Sequence, residues 1–275
     1  MKLGVFVSLR DNLDEKFAFL RDNGFTACQL SNWDDWRETD QRAAEVNAAK
    51  EKYGIEIVAY WRGWCRPAVW NFTEGYTTLG LVPVTYRHDR IKSLCLGSDF
   101  AKKIGVENVI THVGFIPENP WSTEYHELVS AVRQVANHCK ENGQYFCFET
   151  GQETPVTLLR MIQDVGTGNL GINLDTANLI LYGKGNPVDA LDVFGKYVRN
   201  LHAKDGFYPT DGHNLGREVP VGQGKVDFRA LFEKLKDLGY DSHVTIEYEI
   251  AGDNHLEAVL STRDYLQAII DQIYA

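Results

Sequence analysis

Eight short apolar runs alternate with eight amphipathic stretches along the chain, and this alternation is the feature that most restricts its fold. The predicted strands are Lys2–Ser8, Phe25–Ser31, Ile55–Tyr60, Asn108–Val113, Tyr145–Glu149, Leu170–Asp175, Tyr197–His202 and His243–Glu247. Glycine follows many of the predicted helices, as is common at helix C-termini, at positions 24, 54, 105, 143 and 239. Strand–helix units joined by short connections predict a closed parallel barrel.

The chain length of 275 residues agrees with that prediction. A (β/α)8 TIM barrel takes about 250 residues, so we predict one α/β domain over residues 1–275. The competing fold is a doubly wound open sheet, which usually has a glycine-rich turn after its first strand. The turn here contains no glycine, since residues 8–13 read Ser-Leu-Arg-Asp-Asn-Leu. The sequence therefore favours the single TIM barrel.

Two predicted connections are longer than the usual length of about 2–6 residues. They cover about 61–88 and 205–225, and both follow the C-terminal end of a predicted strand. Barrel enzymes carry their active sites on that face. The first loop is rich in aromatic residues, and these either form a platform for a sugar ring or pack against a neighbouring subunit. Glycines 216, 222 and 224 make the second loop a weak candidate for phosphate binding.

Charge and cysteine content restrict the partners and the compartment. The net charge of −10 argues against nucleic acid or an anionic membrane surface as a partner. The sequence has no apolar run of about 18 residues, and its first apolar segment is too short for a signal peptide. The five cysteines are an odd number and form no CxxC pair. We therefore expect a reducing, cytoplasmic location without membrane contact.

Four consecutive predicted strands each end in a side chain that can bind a metal ion. These residues are Glu149, Asp175, His202 and Glu247. Strand side chains alternate between two faces, and each of the four shares its face with mostly small or polar residues. A lone glutamate at a strand end is usually solvated, and a lone histidine is usually a hydrogen-bonded core residue. Four of them in neighbouring strands instead predict one shared metal site.

Three carboxylates and one imidazole are hard ligands, which favour Mn²⁺, Mg²⁺ or Co²⁺ over a structural zinc ion. The fifth and eighth predicted strands are three steps apart in the barrel, so Glu149 and Glu247 should face each other across its mouth. That placement predicts an acid–base pair on the two faces of a keto-sugar, acting through an enediolate. The predicted reaction is 3-epimerisation of a ketose or aldose–ketose isomerisation.

Two further polar residues are candidates for substrate contact. His112 lies at the C-terminal end of the fourth predicted strand and points inward by the alternation of the strand, which predicts that it contacts the substrate. The alternative for His112 is a buried imidazole that is hydrogen-bonded to the backbone. Lys204 either binds a substrate oxygen or pairs with a nearby carboxylate.

Four segments resemble the xylose isomerase-like barrel superfamily, and within it the sugar phosphate isomerase/epimerase group that includes the ketose 3-epimerases. They are Phe148-Glu-Thr-Gly-Gln, Asn173-Leu-Asp-Thr-Ala-Asn, Leu201-His-Ala-Lys-Asp-Gly and Thr245-Ile-Glu-Tyr-Glu. The resemblance implies that Glu149, Asp175, His202 and Glu247 bind the metal, with Glu149 and Glu247 doubling as the acid–base pair. It also implies Mn²⁺ as the expected ion, Mg²⁺ or Co²⁺ as alternatives, and a homo-oligomer, either dimer or tetramer.

The chain departs from the ketose 3-epimerases at one position. Those enzymes commonly have a histidine three residues after the metal-binding aspartate, and this chain has Asn178 there. An amide forms hydrogen bonds but does not titrate, so the preferred sugar is open. Arg217 is the candidate match for the substrate-binding arginine of the family, and Trp61 is the candidate aromatic contact.

The leading expectation is a divalent-metal-dependent isomerase or epimerase of carbohydrate metabolism that acts on a small-molecule sugar. The alternative is a lyase, hydratase or deglycosidase on keto-sugars or cyclitols, because the same enediolate can expel a leaving group. A DNA-repair endonuclease of the same superfamily would need a three-zinc cluster and a basic groove, which eight histidines and the negative charge disfavour. A non-catalytic sugar-binding barrel would bind sugar without proton exchange.

Overall fold

The computed structural model describes residues 1–251 and 255–274. Its strands are β1 (Lys2–Ser8), β2 (Ala27–Asn32), β3 (Glu56–Arg62), β4 (Asn108–Thr111), β5 (Tyr145–Glu149), β6 (Leu170–Asp175), β7 (Val198–Ala203), β8 (Asp205–Phe207), β9 (Arg217–Val219) and β10 (His243–Ile246). Eight of these strands pair in parallel in the closed order β1-β2-β3-β4-β5-β6-β7-β10. The predicted (β/α)8 TIM barrel is confirmed.

The helices are α1 (Leu13–Asp22), α2 (Asp40–Tyr53), α3 (Gly75–Thr78), α4 (Val84–Lys103), α5 (Thr123–Glu141), α6 (Pro155–Val165), α7 (Asn178–Leu181), α8 (Pro187–Phe194), α9 (Phe228–Asp237) and α10 (His255–Ile273). Local sequence explains several of their ends. The Thr39 and Ser122 side chains accept backbone N–H groups at the starts of α2 and α5, and Pro155 is the first residue of α6, a position that suits proline. Gly54 ends α2 in the left-handed conformation that glycine adopts without strain.

The main apolar core lies between the barrel strands and the helices around them. Strand residues such as Phe146 and Ile172 are fully buried there, together with helix residues such as Leu231 and Leu235 of α9. A second, smaller cluster contains Ala59, Trp61, Ile110 and Cys147. These residues lie on β3, β4 and β5, on the strand face opposite to the one that packs in the main core. In the described part of the chain, no helix has the length and apolar character required to span a bilayer.

The side chain of Arg199 lies inside the barrel, whereas strict alternation along its strand predicts that it faces outward. Its guanidinium is 3.4 Å from the centre of the Tyr145 ring, and its Nε donates to Asn108 Oδ1 at 2.7 Å. The pairing of β6 with β7 shifts register next to this residue, which breaks the two-residue period. A Cβ atom at Gly171 would be only 2.6 Å from the Arg199 side chain, so glycine makes room for it.

The two long loops contain more regular structure than the sequence predicts. β3 continues to Arg62, α3 lies within the first loop, and α4 begins at Val84. In the second loop, β8 and β9 form an antiparallel pair. A Cβ atom at Gly216 would lie 2.0 Å from the Phe207 carbonyl oxygen, so this close approach requires glycine.

Candidate metal centre

The structure brings the four predicted metal ligands together at the C-terminal ends of β5, β6, β7 and β10. All four are buried, and one ligand atom from each lies within 4.8 Å of the others. His202 Nδ1 is 3.1 Å from Glu149 Oε1, 3.2 Å from Glu247 Oε2 and 3.6 Å from Asp175 Oδ2. The polar atoms therefore converge on one small volume.

Asp175 shows how well this cluster suits a cation. Its Oδ1 accepts backbone N–H groups from Ala177 and Asn178 at 2.9 and 2.7 Å. Its Oδ2 is buried without a hydrogen-bond partner among the residues that the structure describes. A buried carboxylate oxygen without a partner costs free energy, which a bound ion would remove. Three carboxylates and one imidazole suit Mn²⁺, Mg²⁺ or Co²⁺.

A buried glutamine on β2 orients the imidazole of the cluster. His202 Nε2 lies 2.7 Å from Gln29 Oε1, and Gln29 Nε2 donates to Asn173 Oδ1 at 3.2 Å. The amide oxygen can only accept, so Nε2 of His202 carries the proton and donates it. Burial alone would lower the pKa of His202, but Glu247 and then Glu149 raise it well above its usual value. Without an ion, Nδ1 therefore also carries a proton that it donates to Glu149, and a bound ion would take the place of that proton. Sequence reasoning missed Gln29, although a polar residue inside the apolar run of β2 was a signal.

The ionisable groups of the cluster shift one another strongly. Burial alone would raise the pKa of Glu149, but the imidazoles of His112 and His202 lower it well below its usual value. Burial likewise opposes ionisation of Glu247, but Lys204 and then His202 lower its pKa to about 2. Burial raises the pKa of Asp175 to about 6. Such perturbed carboxylates beside a cavity are typical of functional sites.

A cavity of about 360 Å³ adjoins the cluster, and Glu149 and Glu247 form part of its wall. Three indoles, Trp33, Trp61 and Trp70, line it from the loops after β2 and β3 and from the end of β3. The ring centres of Trp33 and Trp61 are 5.2 Å apart. These aromatic rings give the cavity an apolar wall next to a group of carboxylates, as many ligand sites have.

Trp61 and His112 both contact Glu149. The Trp61 indole N–H donates to Glu149 Oε2, and His112 Nε2 lies 3.4 Å from the same oxygen. Both residues line the cavity, and His112 Nδ1 is buried without a partner in the described structure. No backbone hydrogen bond to the imidazole is present among the described residues, so the alternative role predicted for His112 is not what the structure shows.

Asn178 and Lys204 also line the cavity. Asn178 is the first residue of α7. Lys204 Nζ is 3.3 Å from Glu247 Oε2 and donates to Glu249 as well, so it pairs with carboxylates as one of its two predicted roles requires. Because Lys204 also lines the cavity, its other predicted role, binding of a substrate oxygen, remains a prediction.

Arg217 is the predicted site residue that the structure does not bring to the cluster. It is exposed on β9, and its guanidinium lies 5.6 Å from the centre of the Phe207 ring. It does not belong to the described residues that line the cavity. Its proposed role in substrate binding has no support from this arrangement.

Several cavity residues had no role in the sequence prediction. They are Phe6, Leu181, Tyr182, Leu215 and Glu249. The motif Glu247-Tyr-Glu249 offered a signal for Glu249, because it repeats a carboxylate two residues after a predicted ligand. Phe6 lies within β1, whereas Leu181, Tyr182 and Leu215 come from segments between the barrel strands whose approach to the site depends on the tertiary fold.

Comparison with known proteins places the chain in a family. The model of the xylose isomerase-like TIM barrel family matches residues 17–269. A xylose isomerase domain protein from Planctomyces limnophilus is 33% identical, with coverage of 99% of this chain and 98% of that one, and a TM-score of 0.92. A D-tagatose 3-epimerase-like protein is 21% identical, with coverage of 100% and 98% and a TM-score of 0.76.

An inosose dehydratase from Lacticaseibacillus casei is 23% identical over 171 residues, which is 54% of this chain and 55% of that protein. The match to the family model covers most of the barrel, including all four residues of the metal-ligand cluster. The chain belongs to the xylose isomerase-like TIM barrel family.

Proposed function

We propose that the chain is a divalent-metal-dependent enzyme that epimerises or isomerises a sugar, with 3-epimerisation of a ketose as the leading reaction. The observation that carries this proposal is the placement of Glu149 and Glu247. They come from strands three steps apart in the barrel, yet both lie within 3.2 Å of His202 Nδ1 and both line the cavity. The structural similarity to a D-tagatose 3-epimerase-like protein supports the same reaction class.

In this proposal, Glu149, Asp175, His202 and Glu247 hold the ion, for which Mn²⁺ is expected and Mg²⁺ or Co²⁺ are alternatives. When bound, the cation would polarise the carbonyl group of the sugar. One glutamate removes the proton next to that carbonyl, and the other returns a proton to the opposite face.

The two glutamates have different neighbours. Trp61 and His112 hold the carboxylate of Glu149, whereas Lys204 holds that of Glu247. Besides the His202 imidazole that they share, each carboxylate thus has its own partners at the cavity wall, which supports the positioning of an acid–base pair.

The test is proton exchange in deuterated water. The metal-loaded protein is incubated with free ketoses, and epimerisation predicts deuterium at C3 with the carbon skeleton retained. Glu149→Gln should abolish this exchange while part of the metal binding remains, because the amide keeps one oxygen ligand but cannot accept the proton. The matched control is Glu141→Gln, an exposed residue at the end of α5, which should exchange as the unmodified protein does. Exchange that survives Glu149→Gln contradicts the acid–base assignment.

The second candidate function is a dehydratase, lyase or deglycosidase on keto-sugars or cyclitols. The similarity to an inosose dehydratase favours it. The same carboxylates would then remove the proton, and the intermediate would lose a neighbouring hydroxyl or aglycone in place of regaining a proton. Release of water or an aglycone in the exchange experiment, with an unsaturated product, identifies this reaction.

We also propose a cytoplasmic homo-oligomer. The five cysteines are free thiols, as suits a reducing compartment. The Trp36 and Trp121 side chains are 69% and 86% exposed, and large exposed indoles are common at subunit interfaces. Light scattering on the eluting protein gives the subunit number.

A further inference from the structure

We propose that the substrate is an uncharged polyhydroxylated compound, a free ketose or a cyclitol ketone, and not a sugar phosphate. This inference names the substrate class of the proposed reaction and rests on the proposed function for the reacting end. Three observations support it. They are the charges on the cavity wall, the anion already bound in the glycine loop (the part of the second long loop that contains Gly216, Gly222 and Gly224), and the polar side-chain atoms of the cavity that have no hydrogen-bond partner in the described structure.

Both basic groups of the described cavity wall, Lys204 and the imidazole of His112, already contact carboxylates. Among the described residues that line it, the charged ones are Glu149, Glu247, Glu249 and one cation, Lys204. The ammonium of Lys204 is buried and already pairs with both Glu247 and Glu249. A phosphate monoester adds about −1.5 to −2 charges at pH 7. Because Glu149 and Glu247 would be occupied with the ion, a phosphate group elsewhere in the cavity would meet Glu249 and a lysine that is already paired.

The glycine loop, the second place where a phosphate could bind, already holds an anion of the chain itself. The backbone N–H groups of Gly222, Gly224 and Val226 donate to the Asp205 carboxylate at 3.0, 2.8 and 3.1 Å, and that of Gly206 donates at 2.8 Å. Converging backbone N–H groups of this kind form anion sites. Here the buried carboxylate of Asp205 fills the place that a phosphate would take.

The N–H group of Gly216 is also engaged, as are the exposed arginines Arg66 of the first long loop and Arg217 of the second. The Gly216 N–H donates to the Leu181 carbonyl at 2.8 Å. Arg66 and Arg217 are exposed and lie over the rings of Trp33 and Phe207, and the described cavity wall contains neither. Residues 252–254 follow a cavity-lining segment, and their sequence, Gly-Asp-Asn, contains no basic residue.

Neutral hydroxyl groups, in contrast, find suitable partners in the cavity. His112 Nδ1 and the Tyr182 hydroxyl belong to side chains that are only 4% and 5% exposed, and neither atom has a hydrogen-bond partner in the described structure. Both residues line the cavity. A buried polar atom left unpaired costs about 1–3 kcal/mol, which a substrate hydroxyl would recover.

The aromatic wall completes the match to an uncharged ring. Trp33, Trp61 and Trp70 offer flat apolar surfaces, and the C–H face of a sugar or cyclitol packs on such surfaces. The cavity volume of about 360 Å³ is near the lower end of the range of about 300–1,000 Å³ for ligand sites. A single ring or a single six-carbon chain therefore suits it.

Calorimetric titration of the metal-loaded protein with matched pairs tests the proposal. The pairs are D-fructose with D-fructose 6-phosphate, D-tagatose with D-tagatose 6-phosphate, and, as alcohol analogues of a cyclitol ketone, myo-inositol with myo-inositol 1-phosphate. At least one free compound should bind, and its phosphorylated partner should bind at least about tenfold more weakly. Equal or tighter binding of the phosphorylated member overturns the proposal, and so does the absence of binding by every free compound up to its solubility limit.

A charge-reversal variant tests the physical reason separately. Glu249→Lys places a second cation on the cavity wall. It should lower the ratio of Kd for the phosphorylated compound to Kd for its free partner at least about threefold, and the effect should be larger at low salt. Glu257→Lys, an exposed position on α10, makes the same charge change away from the cavity wall and should leave the ratio as it is. An unchanged ratio in a folded Glu249→Lys protein contradicts the charge argument.

The outcome separates this inference from the proposed function. A free ketose that binds but exchanges no proton contradicts the epimerase proposal and supports the substrate class. Exchange on a phosphorylated ketose, with none on its free partner, supports the reaction and overturns the substrate class.

Discussion

Each candidate ligand in this barrel is held by a partner suited to its own side chain. Backbone N–H groups fix one oxygen of Asp175, a lysine fixes Glu247, and an amide oxygen fixes the proton of His202 on Nε2. Such outer partners orient metal ligands and tune their affinity for the ion. Gln29 is the clearest case, because its amide links His202 to Asn173 inside the barrel.

Replacement of Gln29 by leucine should weaken binding of the divalent ion about 10–100-fold. Without the amide oxygen, the imidazole loses the hydrogen bond that keeps Nδ1 free for the ion. Calorimetric titration with Mn²⁺ measures the effect, and thermal melts in a chelator report the stability of the metal-free fold.

Gln144→Leu is the matched control for that experiment. Gln144 is equally buried, but it precedes β5 and donates to the backbone of Ser98 and Val106. Its loss should lower stability and leave Mn²⁺ affinity unchanged. Equal loss of Mn²⁺ affinity in the two variants would show that Gln29 acts only through stability.

The buried carboxyl group of Glu153 should make the stability of the metal-free protein depend on pH. Burial raises its pKa from 4.5 to about 8, so the folded state holds a proton that the unfolded chain releases. The unfolding free energy should therefore fall as pH rises from about 5 to 8, by on the order of 1 kcal/mol per pH unit from this group. Glu153→Gln should remove that part of the slope in denaturant titrations with a chelator present. Parallel pH profiles for the two proteins would contradict the prediction.

At the scale of elements, the second long loop is ordered by one side chain. The Asp205 carboxylate divides its two oxygens between four backbone N–H groups, Gly206 and Val226 on Oδ1 and Gly222 and Gly224 on Oδ2. Asp205 itself is the first residue of β8, two positions after β7 ends. One residue thus ties the turn after β9 to the end of a barrel strand.

Asp205→Asn should loosen this loop, because the amide NH₂ group would face two N–H donors in place of an acceptor. We expect the free energy of unfolding to fall by about 3 kcal/mol, since hydrogen bonds to charged groups contribute about 1.5–3 kcal/mol each. Faster hydrogen exchange at the amides of Gly222, Gly224 and Val226 would show it.

Asp211→Asn provides the control in the same loop. Asp211 is exposed and accepts the N–H groups of His213 and Asn214 in a local turn. Its replacement should not change exchange at residues 222–226. If Asp205→Asn also leaves those amides protected, Asp205 does not order the loop.

At the scale of the whole molecule, the candidate metal centre joins half of the barrel strands. Its residues come from β5, β6, β7 and β10, which are neighbours in the closed order. Three carboxylates in one buried cluster repel each other, and a divalent ion would offset that repulsion. Binding of the ion should therefore stabilise the barrel as one unit.

We expect the 275-residue chain to unfold in a single thermal transition that moves to higher temperature with Mn²⁺ and back with a chelator. At an ion concentration of 100 times Kd, the added stability is about 2.7 kcal/mol. Asp175→Asn should lose most of this shift. Scanning calorimetry checks both statements, and two separate transitions would contradict the single domain over residues 1–275.

The sequence by itself determined the order of strands and helices, the closed barrel, and the rim on which the candidate ligands lie. Period-two alternation with carboxylates and a histidine at strand ends carries that information locally, as at Glu149 and Asp175. The helix starts at Pro155 and Asp40 and the helix end at Gly54 were equally local, because capping depends on neighbouring residues.

Only the tertiary structure decided the partners of those residues. Gln29 and His202 are 173 positions apart, and no local pattern pairs them. Arg199 lies inside the barrel because a register shift breaks the alternation, and such a shift belongs to the pairing of two strands. The anion of the glycine loop is Asp205, and Arg217 lies away from the cavity wall, because the backbone path of a long loop is set by contacts across the fold and not by its own residues.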